Sequence, residues 1–238
     1  MSFSKAFKDP SDQEVIVNFT SNPRDKVEIF PLTYYHVNIP NNNVLKSILL
    51  NKIVEDAKEL EIPEGWFTHK LMTSFNGEPT GREIFFGENT EYQDMLTKVY
   101  TECFNKIFDR KFEIAIDNIW YNVYVNGEYQ ENHDHLGYDV NPSHFSCIHF
   151  LSFDEKNHEP VVFRDPHRQL RSLSIELDKN NYSEDWTPNI KEGDLLMFPS
   201  YLSHEVRPGK PTPDYPRISI AFNFRVLYYD SKRHDRCD

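Results

Sequence analysis

The sequence has few cysteines, fewer positive than negative charges and no long apolar run. Its three cysteines, Cys103, Cys147 and Cys237, lie far apart and form no Cys-x-x-Cys pair, so no disulfide framework or zinc finger is visible. This cysteine pattern fits a reducing cytoplasm. A net charge of -12 argues against nucleic acid or an anionic membrane surface as the main partner. No segment is long enough to span a bilayer, and the polar start lacks a signal core. We therefore expect a cytoplasmic protein that binds neither nucleic acid nor membrane.

The length and composition favour one globular domain with a large core. The chain has 238 residues, of which 38% are hydrophobic and 14% aromatic. Residues 1–24 are rich in Ser, Asn, Asp and Pro and are interpreted as a loosely held arm or an edge strand. Residues 25–230 form the predicted domain, and residues 231–238 form a tail. The sequence does not indicate an oligomeric state.

The two halves of the domain differ in texture. Apolar residues recur at helical spacing from Asn43 to Leu60, and a capping-box pattern at Thr90 to Gln93 opens a second predicted helix. The predicted inward residues of the two helices are Leu45, Ile48, Leu49, Ile53, Ala57 and Leu60, and then Tyr92, Leu96, Val99, Cys103 and Ile107. After Lys111 the chain consists of short strand-like segments with no helix between them, which predicts an antiparallel sandwich or barrel core over about residues 112–230. We expect the N-terminal helices to pack against one outer face of it.

A histidine pair marks a candidate metal site in "QENHDHLGYD". His133 and His135 are two residues apart, so on an extended segment their side chains share a face. His204 follows a later strand and turn in "GDLLMFPSYLSHEV". Three such ligands would form an open facial site with coordination positions left for a substrate or oxygen. The isolated histidines, such as His149 and His158, are predicted to be surface or hydrogen-bonded residues instead.

A candidate anion site lies downstream in "RISIAFNF". Arg217 and Ser219 are also two residues apart, and a guanidinium with a hydroxyl on one face can hold a carboxylate. An internal salt bridge is the alternative role for this arginine. In "WYNVYVNG", the alternating residues Trp120, Asn122 and Tyr124 share one face, which suits either a half-polar pocket or a hydrogen-bonded core.

Read in order, these motifs resemble the Fe(II)/2-oxoglutarate-dependent oxygenases, in particular the prolyl-4-hydroxylase-like branch. "YVNGEYQENHDH" supplies Tyr124, Gly127 and His133 at the family's intervals. "FSCIHFLSF", "EGDLLMFPSYLSHEV" and "RISIAFNF" follow as the next strand, the distal-histidine segment and the basic strand. The resemblance covers about Trp120 to Val226. The phrasing is closer still to an uncharacterised oxygenase family of bacteria and tailed phages whose members carry a His-x-His pair.

The resemblance implies a fold, a reaction and a ligand set. The fold would be a double-stranded β-helix, also called a jelly roll. The reaction would couple decarboxylation of 2-oxoglutarate to hydroxylation of a small-molecule or peptide substrate by O2, with prolyl or other peptidyl groups as candidates and ascorbate as a supporting reductant. The implied iron ligands are His133, His135 and His204. The implied co-substrate residues are Tyr124, Arg217 and Ser219, with Asn122 on the same face as Tyr124.

The sequence departs from the prolyl-hydroxylase pattern at His135, where that branch carries aspartate. Asp134 points to the opposite face of a regular strand, although a bulge would rotate it inward. Asp139 would have to return through the turn at Gly137. We expect His135 to be the third ligand, with Asp134 and Asp139 as the alternatives.

Two other functions share parts of this pattern. A three-histidine dioxygenase that works without 2-oxoglutarate would have the same fold and metal ligands, but it would not need Arg217 and Ser219 as a dicarboxylate clamp. A non-catalytic jelly-roll binding module with a relic metal site is the second alternative.

Overall fold

The structure is a computed structural model. It describes residues 2–8, 14–20, 32–60, 71–75, 97–102, 104, 112–136, 143–168 and 184–229. The chain divides into two compact units, Met1–Thr33 and Tyr34–Asp238. In the first unit, β1 (Ser2–Lys8) pairs with β2 (Glu14–Thr20) in an antiparallel hairpin. The predicted boundaries at residues 24 and 230 stay predictions.

In the described part of the second unit, one long helix lies with two antiparallel sheets. The helix is α1 (Asn42–Ala57). The larger sheet has the strand order β3-β10-β7-β12-β5-β4, and the smaller one has the order β6-β11-β8-β9. The strands of the larger sheet are β3 (Tyr35–Asn38), β4 (Met72–Thr73), β5 (Phe112–Tyr124), β7 (Phe145–Ser152), β10 (Asp194–Pro199) and β12 (Arg217–Tyr229). Those of the smaller sheet are β6 (Gln130–His133), β8 (Val161–Arg164), β9 (Asp185–Trp186) and β11 (His204–Val206). The predicted mainly-β fold class with flanking helices is confirmed.

The helical layer covers one face of the larger sheet. Leu45, Leu49 and Ile53 of α1 are buried at the spacing that the sequence predicted, but Ile48 is 39% exposed. Residues 97–102 are also helical, and there Tyr100 is fully buried and stacks on Phe222 of β12 with ring centroids 4.3 Å apart. Tyr100 lies beside the predicted stripe, of which Val99 is only partly buried. The other predicted inward residues of this second helix lie outside the described residues.

The start of α1 is tied to the sheet by polar contacts. The Asn42 amide donates to the carbonyl oxygen of Leu151 at 3.2 Å and accepts from Nε2 of the buried His149 at 2.8 Å. The Tyr100 hydroxyl lies 3.2 Å from the other ring nitrogen of His149. His149 is therefore hydrogen-bonded, as the sequence predicted, and it is not among the described groups that could share a metal ion. Gly193 has φ +84°, and a Cβ there would lie 2.9 Å from Cβ of Asn42.

One hydrophobic core lies between α1 and the larger sheet, and a second lies between the two sheets, next to the candidate site. The larger sheet contributes Phe150 and Phe198, and the smaller sheet contributes Val161 and Phe163. Strand alternation places one set of side chains toward α1 and the other set toward the smaller sheet. No helix in the described part of the chain is long and apolar enough to cross a membrane.

Candidate active site

Three histidines from two segments converge between the sheets. His133 ends β6 and lies opposite His204 of β11 in the ladder, and His135 follows β6 after two residues. One ring nitrogen from each histidine lies within 4.8 Å of the others. The ring centroids are separated by 4.3 Å for His133–His204, 5.0 Å for His135–His204 and 5.2 Å for His133–His135. This spacing suits three ligands of a single metal ion.

Hydrogen bonds fix which nitrogen of each ring is available. The Nδ1–H of His133 donates to the carbonyl oxygen of Glu131 at 2.8 Å, and that of His204 donates to the carbonyl oxygen of Leu202 at 2.9 Å. Because a carbonyl oxygen only accepts, Nδ1 carries the proton in both rings and Nε2 keeps its lone pair. Ligating histidines are commonly oriented by such a bond from the other nitrogen.

His135 has a side-chain acceptor in place of a carbonyl oxygen. Its Nδ1 lies 2.6 Å from Oδ1 of Asn223 on β12 and 2.8 Å from Oγ of Ser146 on β7. The Ser146 hydroxyl also contacts Oδ1 of Asn223 at 2.7 Å and Oγ of Ser200 at 3.1 Å. The backbone N–H of His135 donates to the carbonyl oxygen of Ser200 at 2.9 Å. These contacts hold the ring with Nε2 toward the other two histidines and suit an imidazole at this position.

The triad is built to stay uncharged. Burial, together with the nearby His133, lowers the pKa of His135 to about 4. Burial also lowers the pKa of His133 and takes that of His204 well below its usual value. The three rings are therefore neutral near pH 7, which is the protonation state that metal ligation requires.

The alternative third ligands differ in what the structure shows of them. Asp134 is exposed, and its Oδ1 accepts from the backbone N–H of Leu136 at 3.0 Å. Asp134 is not among the groups that could hold a metal with the histidines in the described part of the chain. Asp139 lies outside the described residues. The assignment of His135 as third ligand stays a prediction, which this geometry supports.

The four predicted co-substrate residues form two cross-strand pairs on one face. Arg217 lies opposite Tyr124, and Ser219 lies opposite Asn122, between β12 and β5. All four side chains are buried. The Arg217 guanidinium lies 4.2 Å from the centre of the Tyr124 ring and 5.5 Å from that of Phe150. The alternation seen in the sequence therefore brings these residues together.

The Arg217 guanidinium lacks partners for two of its nitrogens. Nε and Nη1 are buried and make no hydrogen bond, and the structure gives Arg217 no carboxylate partner within salt-bridge distance among the described residues. Oδ1 of the adjacent Asn122 is also buried without a partner. A buried cation without an anionic partner is costly, so this site favours an anion from beyond the described residues.

Aromatic side chains enclose the histidines. Trp120 lies 5.5 Å from His135, and Phe198 and Phe163 lie 4.9 Å and 5.9 Å from His204 between ring centroids. These rings limit the access of water to the triad, which strengthens charge interactions inside the site. The arrangement can therefore hold one divalent metal close to a site for an anion.

Sequence reasoning missed the polar residues that surround the ligands, namely Gln130, Ser146, Ser200 and Asn223. Asn223 continues the face of Arg217 and Ser219 along β12, so strand alternation alone would have identified it. Gln130 follows no such pattern. Its amide lies 3.4 Å from Nε2 of His133, although the two residues are three apart.

Comparisons with known proteins agree with this site. Residues 118–223 match the family described as "Putative 2OG-Fe(II) oxygenase", somewhat less than half of the chain. A comparison with curated protein sequences gives no match.

Three solved structures illustrate the shared fold. A prolyl-4-hydroxylase from Pseudomonas putida is 13% identical at a TM-score of 0.50, covering 82% of this chain and 92% of that chain. A prolyl hydroxylase from Trichoplax adhaerens, in complex with a hypoxia-inducible-factor oxygen degradation domain peptide fragment, is 11% identical at 0.52, covering 81% and 83%. HygX from Streptomyces hygroscopicus, with nickel and 2-oxoglutarate bound, is 8% identical at 0.52, covering 83% and 84%. The family match and the double-stranded β-helix fold confirm the resemblance to the 2OG-Fe(II) oxygenases, enzymes that use Fe(II) and 2-oxoglutarate.

Proposed function

We propose that this protein is an Fe(II)/2-oxoglutarate-dependent hydroxylase with a three-histidine metal site. The observation that carries the proposal is the buried Arg217 guanidinium, which has no carboxylate partner among the described residues and lies on the sheet face that also bears the polar contacts of the histidine triad. A metal site needs no such cation, whereas a dicarboxylate co-substrate does. The matched family implies O2 and a small-molecule or peptide substrate as the other reactants.

The residues present fit both groups. Three neutral imidazoles, each with one ring nitrogen within 4.8 Å of the others, offer the donors that Fe(II) accepts. Arg217 would bind the distal carboxylate of 2-oxoglutarate, with Ser219 and Tyr124 beside it, and Asn122 would line the same pocket. Iron and 2-oxoglutarate, when bound, supply O2 activation with decarboxylation to succinate and oxidation of a substrate C–H bond.

The chain itself contributes position and a dry environment. Asn223 and the carbonyl oxygens of Glu131 and Leu202 hold the three rings in the ligating tautomer. Arg217 fixes one end of the co-substrate, so that its other end can lie toward the triad. Trp120 and Phe163 exclude water from the reacting region.

Peptidyl substrates are the class to test first. Two of the similar structures are prolyl hydroxylases, one of them in complex with a peptide fragment. Hydroxylation and the peptidyl substrate are both part of the proposal, since HygX shares the fold without being named a prolyl hydroxylase.

A three-histidine dioxygenase that acts without 2-oxoglutarate is the second candidate function. It is favoured by the triad itself, in which no described carboxylate joins the histidines. Arg217 argues against it, because such an enzyme leaves the buried guanidinium without an anion.

Anaerobic titration of 2-oxoglutarate into the Fe(II)-loaded protein tests the proposal. We expect saturable binding with a visible charge-transfer band, and release of succinate when O2 and ascorbate are added. Arg225→Ala is the matched control, because Arg225 lies on the same strand and pairs with Asp117 at 2.7 Å. Iron binding without any 2-oxoglutarate binding would instead support the second candidate.

A further inference from the structure

Gln130 occupies the space between the co-substrate face and the metal ligands. The Tyr124 hydroxyl donates to Oε1 of Gln130 at 3.2 Å, and Nε2 of Gln130 lies 3.4 Å from Nε2 of His133. On the other side, Tyr124 carries the Arg217 guanidinium over its ring. Arg217, Tyr124, Gln130 and His133 thus form one continuous line of contacts from the unpaired cation to the metal-facing nitrogen.

The orientation of the Gln130 amide follows from its neighbours. Nδ1 of His133 holds its proton against the carbonyl oxygen of Glu131, so Nε2 of that ring is an acceptor. Only the NH2 end of the amide can face an acceptor, which directs the amide oxygen of Gln130 toward the Tyr124 hydroxyl. The hydrogen-bond partners therefore determine which end of the Gln130 amide is the oxygen and which is the NH2 group.

The contact with His133 exists only while Nε2 of that ring is free. A metal bound to His133 takes the lone pair that the Gln130 N–H now faces, and the amide then needs another acceptor. An oxygen of a metal-bound anion is the acceptor that this position would offer. The distal end of a 2-oxo acid is accounted for by Arg217, so the oxygens left for Gln130 are those of the 2-oxo acid end.

We propose that Gln130 is a specificity-determining residue that donates a hydrogen bond to the 2-oxo acid end of the co-substrate beside the metal. This inference rests on the proposed function, because it assigns a role toward 2-oxoglutarate. Tyr124 then has a second role, because its hydroxyl holds the amide of Gln130 in the orientation in which the NH2 group donates.

Binding measurements on the metal-loaded protein test this role without turnover. Fe(II) affinity and 2-oxoglutarate affinity would be measured anaerobically for the wild type, Gln130→Met and Gln130→Glu. Gln130→Met keeps the side-chain length and removes the donor, and Gln130→Glu replaces the donor by an anion. We expect 2-oxoglutarate to bind about tenfold to a hundredfold more weakly in Gln130→Met and at least as weakly in Gln130→Glu, with Fe(II) affinity in Gln130→Met close to that of the wild type.

Succinate provides the matched ligand, because it carries the distal carboxylate but no 2-oxo acid group. Gln130→Met should leave succinate binding unchanged, whereas Arg217→Ala should weaken both ligands. If Gln130→Met binds 2-oxoglutarate like the wild type, or loses Fe(II) to the same degree, the specificity role is wrong. If the Fe(II)-loaded wild type binds no 2-oxoglutarate, the proposed function fails and takes this role with it.

Discussion

The contact between His135 and Asn223 allows a quantitative test of the third ligand. Asn223 is buried, and its Oδ1 accepts the Nδ1–H of His135 at 2.6 Å. Asn223→Ala removes that acceptor and leaves Oγ of Ser146, at 2.8 Å, to hold the ring. Removing such an outer partner typically costs about tenfold to a hundredfold in metal affinity, or roughly 1.4–2.8 kcal/mol. We therefore expect Asn223→Ala to weaken Fe(II) binding by that amount.

Two further variants separate ring orientation from general damage. Asn223→Asp supplies a carboxylate acceptor, which raises the basicity of the ring, so Fe(II) binding should equal or exceed that of the wild type. Asn118→Ala is the control, because Asn118 lies opposite Asn223 in the ladder and is the same residue type. The assay is anaerobic competition with a chelator, with thermal unfolding as a check on the fold. Unchanged Fe(II) affinity in Asn223→Ala would refute the claim that Asn223 orients a metal ligand.

Three other perturbations test separate parts of the site and core. Arg217→Ala should weaken 2-oxoglutarate binding by about 2–5 kcal/mol, while Arg225→Ala should leave the affinity unchanged. Titration calorimetry with 2-oxoglutarate measures both. His135→Ala should strip Fe(II) and Asp134→Ala should be silent in the chelator assay; the reverse result would make the carboxylate the ligand. Burial lowers the pKa of His149 to about 3, so between pH 6.5 and 3 only the unfolded chain protonates this ring. This residue should therefore lower the free energy of unfolding by about 1.4 kcal/mol for each unit by which the pH drops in this range. Urea unfolding at several pH values measures this dependence, and His149→Gln should show a smaller fall of the free energy of unfolding with decreasing pH.

The grouping of the site could be predicted because it depends on strand alternation. Arg217 and Ser219 share a face for the same reason as Asn122 and Tyr124, and each pair was visible in the sequence. The sequence did not reveal the register that sets Arg217 against Tyr124, because cross-strand pairing depends on distant residues. The helical spacing of apolar residues also predicted that Ile48 is buried, but the structure exposes it.

Gln130 shows where alternation fails. Residues three apart on a regular strand point to opposite faces, yet Gln130 and His133 lie side by side. The ladder between β6 and β11 shifts register between His204 and Val206, so the two strands do not advance residue by residue. Such an irregularity cannot be recognised from the composition of a four-residue strand. It brings into the site a polar side chain that strand alternation would place on the opposite face.

The neutral triad has a consequence for how metal and co-substrate bind. Three uncharged imidazoles leave the full charge of Fe(II) uncompensated, and the Arg217 guanidinium adds a second buried positive charge. A dianionic co-substrate that reaches both groups relieves both, so each ligand should strengthen the binding of the other by the same factor. Fe(II) affinity should therefore rise when 2-oxoglutarate is present, and this rise should be smaller in His135→Asp, where the protein supplies one negative charge itself. Chelator competition with and without saturating 2-oxoglutarate measures the effect in both proteins. If 2-oxoglutarate does not change the Fe(II) affinity of the wild type, another group of the chain must supply the negative charge that an aspartate at position 135 would provide.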